Sequence, residues 1–93
     1  MLLKDILLQS GYDVSKYSEQ ILSINFHTHC IAENSNSWEN TIKIVNDKKQ
    51  TLAHLNGNND EEFAYLEIYI IDDDGMIDYV QLYNEFGECI DIC

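Results

Sequence analysis

The sequence predicts an α+β fold: one or two short N-terminal helices packed on an antiparallel β-sheet of about five or six strands, closing with a C-terminal β-meander over 64–72, 76–84 and 88–92. Three observations lead there. Leu2, Leu3, Ile6 and Leu7 recur at helical spacing. From Leu22 the apolar period changes to two. In the last third, Asp73-Asp74-Gly75 and Glu85-Phe86-Gly87 separate strand-like runs.

The elements follow in order. Residues 2–9 form a helix stopped by Ser10-Gly11. Asp13 caps a second short helix over Val14–Gln20. Leu22, Ile24, Phe26, Thr28 and Cys30 alternate with polar neighbours up to Ile31, as in a half-buried strand. Glu33 to Asn40 is polar apart from Trp38 and reads as a loop. Thr41–Asn46 and Gln50–Leu55 are strands joined through Asp47-Lys48-Lys49, and Asn56–Asp60 is a second loop.

The two glycine-terminated tripeptides read as three-residue hairpin loops whose last residue takes positive φ. The simplest register then opposes Leu66 to Leu82, Ile68 to Val80 and Ile71 to Ile77. On the other face, Tyr65 opposes Tyr83, Glu67 opposes Gln81, and Tyr69 opposes Tyr79. In the second hairpin Leu82 meets Ile90, Val80 meets Ile92, and Gln81 meets Asp91. One face is thus aliphatic, and the other carries tyrosines and carboxylates.

Ninety-three residues make a single domain, 1–93. Its formal charge of −12 is concentrated: residues 50–93 hold eleven carboxylates and no lysine, and the chain has no arginine. Such a surface repels nucleic acid and anionic membrane and attracts basic macromolecules. An apolar fraction of 45% argues for a folded domain rather than disorder. There is no signal-peptide core and no run of apolar residues long enough to span a bilayer. Three cysteines, Cys30, Cys89 and Cys93, then suggest reduced thiols and a cytoplasmic protein. On a regular strand Cys89 and Cys93 would stand about 13 Å apart, too far to bridge.

Two stretches resemble metal-binding motifs. Asp72-Asp73-Asp74-Gly75-Met76-Ile77-Asp78 resembles the middle of an EF-hand calcium loop. Ile70 and Gln81 occupy its first and twelfth positions, where ligands belong, so the stretch reads as an acidic turn held by Gly75. His27-x-His29-x-x-x-Glu33 and His54-x-x-x-Asn58 resemble fragments of the two cupin metal motifs, without the flanking glycines. His27, His29 and His54 are accordingly the alternative metal ligands. The main reading has no metal and no cofactor.

No nucleophile–base ordering or phosphate loop stands out, and the chain reads as a binding protein rather than an enzyme. The candidate surface comprises Tyr65, Glu67, Tyr69, Asp72, Asp73, Asp74, Tyr79, Gln81, Tyr83 and Asp91. Tyrosine supplies contact area at low entropy cost, and carboxylates steer a basic partner. The expected partner is a basic protein, such as a nuclease or other nucleic-acid-binding protein. The expected role is that of an inhibitor in the manner of immunity proteins, antitoxins and phage anti-defence proteins (anti-CRISPR proteins and DNA mimics included). A homodimer or accessory domain using the same face is the competing expectation.

Overall fold

The computed structural model describes residues 1–15, 17–35, 41–56 and 66–91. The element order is α1 (Leu3–Gln9), α2 (Glu19–Leu22), β1 (Cys30–Asn34), β2 (Thr41–Asn46), β3 (Thr51–Asn56), β4 (Leu66–Ile71), β5 (Ile77–Tyr83) and β6 (Cys89–Asp91). The strands form one antiparallel sheet in sequential order, β1 to β6.

Helix α1 forms where expected because Leu3, Ile6 and Leu7 lie on one buried face. It ends in a Schellman motif, with Tyr12 N–H donating to Leu7 O (2.9 Å) and Gly11 N–H to Leu8 O (3.1 Å). The second helix is shorter and later than Val14–Gln20. Asp13 caps no helix; its carboxylate takes the Ser15 amide and hydroxyl in a local turn. Ser18 is the true cap, accepting from Ile21 N–H at 3.2 Å.

The alternation from Leu22 to Phe26 does record burial, but not a sheet strand. Leu22 and Phe26 are buried, and the segment pairs with the N-terminus through Leu3 N–H to Ile24 O and Phe26 N–H to Met1 O. Only from Cys30 does the chain join the sheet. Glu33 and Asn34, expected in a loop, belong to β1. β3 starts and ends one residue later than expected. The Trp38 loop, most of the Asn56–Asp60 loop, residues 64–65 and residues 92–93 lie outside the described residues.

Three hairpins share one design. In Asn46–Gln50, Asp72–Met76 and Asn84–Glu88, the first side chain's Oδ1 accepts the backbone N–H groups of residues two and four positions on, at 2.9–3.0 Å. The fourth residue takes positive φ: Lys49 at 63°, Gly75 at 82°, Gly87 at 75°. Each ladder then shifts by one residue just beyond the loop, leaving Leu52, Asp78 and Ile90 as the extra residues.

That shift overturns the expected register. Leu66 pairs with Tyr83, Glu67 with Leu82, Ile68 with Gln81, Tyr69 with Val80 and Ile70 with Tyr79; only Ile71–Ile77, before the shift, stands as expected. In the second hairpin Leu82 pairs with Asp91, not Ile90. A one-residue slip exchanges faces. The tyrosine–carboxylate set is therefore divided between the two sides of the sheet, and the proposed aliphatic face with it.

The core lies between the helical segment and one sheet face. Leu3, Ile6, Leu7, Ile21, Leu22 and Phe26 pack against Ala32, Ile42, Ile44, Ala53, Leu55 and Leu66, with Ile68 and Tyr83 at its margin. The last hairpin locks this layer. Ser18 Oγ donates to Glu85 O, and a Cβ on Gly87 would meet the Gln20 backbone at 3.0 Å. A Cβ on Gly75 would meet only the Gln50 side-chain amide, at 3.3 Å.

These differences order three substitutions in urea denaturation. Gly87→Ala is expected to cost about 2 kcal/mol or more, since it adds a backbone clash to left-handed strain. Gly75→Ala is expected to cost about 1 kcal/mol. Lys49→Gly, measured at high salt to screen the lost charge, is expected to stabilise by about 0.5 kcal/mol.

Candidate functional site

The sheet face opposite the helices carries a row that is polar except at Leu82. Glu33, Lys43, His54, Glu67, Leu82 and Asp91 stand directly opposite one another in turn across all six strands. Lys43 Nζ lies 3.3 Å from Glu33 Oε1. Its charges are mixed at the β1 end and purely acidic beyond His54. A face of this composition is stable in water without a second layer.

Next to that row, His54 and Tyr69 form the most defined side-chain pair of the C-terminal half. Tyr69 Oη stands 2.6 Å from His54 Nδ1, with the rings edge to face at 5.4 Å between centroids. Burial, with a smaller contribution from Glu67, raises the Tyr69 phenol pKa. Burial also lowers the His54 pKa, against an opposing effect of Glu67. Both directions agree: a protonated phenol donates to a neutral imidazole whose other nitrogen carries the proton.

Beyond this pair β4 and β5 continue past their ladders to β3 and β6, and their turn lies beside the Gln50 side chain of the β2–β3 hairpin. The β3–β4 ladder reaches only to Ala53–Ile68, and the β5–β6 ladder begins at Leu82. Residues 69–80 thus form an arm whose ladder partners, among the described residues, are each other. The arm exposes Met76 (66%), Ile77 (57%) and Tyr79 (38%). By register Ile77 shares the open face with Ile71, whereas Tyr79 shares the helix-side face with Ile70. The tip residues Asp72, Asp73 and Asp74 are exposed, as is Asp78.

The expected partner-binding residues therefore fall in three places. Glu67, Tyr69 and Asp91 are on the open face; Gln81 and Tyr83 are on the helix side, with Tyr83 Oη donating to Gln81 Oε1 at 3.3 Å; Asp72, Asp73, Asp74 and Tyr79 are on the arm. Tyr65 lies outside the described residues. Sequence reasoning missed His54 as the partner of Tyr69, and Met76 and Ile77 as exposed apolar groups. The β3–β4 pairing that brings His54 to Tyr69 has no local sequence signal, and Met76 closes the Asp72–Met76 loop where a strand was expected to begin.

The histidines do not converge. His27 and His29 precede β1, and His29 pairs with Asp47 in the first hairpin loop at 3.2 Å. His54 lies mid-strand, opposite Lys43, about 13 Å along β2 from Asp47. Among the described residues no group of three or more His, Cys, Asp or Glu side chains is placed to hold a metal ion.

Cysteine chemistry also differs from expectation. Cys30 is a buried free thiol whose pKa burial raises, but Cys89 is disulfide-bonded. The expected separation of Cys89 from Cys93 assumed a regular strand, and the irregularity at Ile90 removes that assumption; Cys93 itself lies outside the described residues. No described helix is long and apolar enough to cross a membrane.

Comparison with known proteins gives no match to a family model, to a curated protein or to a solved structure.

The His54–Tyr69 pair has a testable pH dependence. With the folded pKa of His54 below its unfolded value, the unfolded state binds the proton more readily. Its contribution is then complete above the unfolded pKa near 6.5 and is lost as pH falls towards the folded value. Thermal melts of wild type and His54→Gln should converge as pH drops below that point. A stability difference that is constant across this range would refute the assignment.

Proposed function

We propose that this chain is a small acidic inhibitor that binds the basic, nucleic-acid-handling surface of another protein, in the manner of an immunity protein, an antitoxin or a phage anti-defence protein. One observation carries the reading. From β4 onward the chain has no basic residue, and Asp72, Asp73, Asp74, Asp78, Glu85, Glu88 and Asp91 are all exposed. The described ion pairs, Lys43–Glu33 and His29–Asp47, lie at the β1–β2 edge of the sheet, away from this block.

Physics favours such a role over direct nucleic-acid binding, because a polyanion cannot gain from releasing the counterions of another polyanion. It does gain from meeting a lysine- and arginine-rich surface, chiefly in association rate and in discrimination against acidic partners. No catalytic step is assigned to the chain.

The test begins with affinity capture from host lysate at low and high salt, followed by reconstitution with the purified partner. The expected partner is basic, is displaced by DNA or RNA, and loses about tenfold or more in affinity between roughly 50 and 200 mM salt. An interaction indifferent to both salt and nucleic acid would defeat the proposal. Changing Asp72, Asp73 and Asp74 together to Asn should slow association more than it speeds dissociation, as stopped-flow kinetics can show.

A further inference from the structure

We infer that the β4–β5 arm is the docking element, a two-stranded wedge that enters a cleft with basic walls and apolar side chains in a partner protein. This inference rests on the functional reading above and adds the place and shape of the contact. The arm is apolar on both of its faces: Ile77 is exposed on one and Tyr79 on the other, with Met76 beside the tip. A flat partner would cover only one face; a cleft covers both. The three aspartates at the tip enter first, and Asp78 follows at the bulge.

An isolated two-stranded ribbon is marginal in water. This one is held at its root by Tyr69 Oη on His54 Nδ1, and the Gln50 side-chain amide lies near Gly75 in its turn. Such anchoring lets the arm bind with little further loss of conformational entropy. Charge selects the occupant. A second copy of a chain with net charge −12 would bring like charges together around the same apolar residues, whereas a lysine- and arginine-lined cleft neutralises the tip while burying Met76, Ile77 and Tyr79.

The experiment uses two synthetic peptides as probes, one alternating Lys and Leu and one alternating Lys and Ser, titrated into the isotope-labelled full chain at low salt. The Lys–Leu peptide should bind roughly fivefold or more tightly and shift the amide resonances of residues 70–80 first. Met76→Ser with Ile77→Ser should remove the preference for leucine. Phe86→Ser, which changes an equally exposed residue of the other hairpin loop, should not. Equal affinity for the two peptides, or shifts spread evenly over the acidic residues, would overturn the docking inference and leave the charge-based function standing. Failure of both peptides to bind would defeat the function as well. Sedimentation of the free chain closes the remaining route: a dimer abolished by the two serine substitutions would show that a second copy occupies the arm.

Discussion

The side-chain oxygen of Asn46, Asp72 or Asn84 accepting two backbone N–H groups of its own loop is the interaction on which the rest of the sheet depends. It closes the expected three-residue hairpin loop between two hydrogen-bonded end residues and fixes where positive φ falls. The ladder irregularity follows at the same offset in all three hairpins, and every cross-strand pair beyond it inherits that offset. Because side chains alternate with a period of two, this local choice determines which residues are buried under the helices. Leu66 and Tyr83 meet the core, and Glu67 and Leu82 meet solvent, for a reason located near a turn several residues away.

Much of this was legible. Leu3, Ile6 and Leu7 announce α1, and the glycines at 75 and 87 announce their hairpins. The number and order of strands follow from alternating runs between turn residues. What failed was the parity of the pairing. Asp78 and Ile90 carry no signature that marks them as extra residues, and aliphatic residues placed at even spacing gave a plausible but wrong register. Lys49 hid the kinship of the first hairpin with the other two, since lysine is an uncommon occupant of positive φ. Only the shared Asx residue connects them.

The candidate surface changed for the same reason. Charge and tyrosine content are readable from composition, but a face is a property of pairing. The acidic block survives as the determinant of partner chemistry. The single tyrosine face does not survive, and the apolar residues of the arm, separated from the sheet's third strand, take its place. His54 acquires a role by position: it stands at the root of the arm, directly opposite both Lys43 and Glu67 in the cross-strand row.

Ser18 joins the two ends of the fold. It caps α2 through Ile21 N–H and donates to Glu85 O across 67 residues of sequence. The hairpins are local and close over short loops, so their formation is entropically easy. The α2 cap is equally local, but the second bond of Ser18 forms only when the last hairpin is docked with Gly87 against Gln20. Docking the last hairpin on α2 thus closes a separation of 67 residues, and it carries a larger loop-closure entropy than any of the three hairpins does.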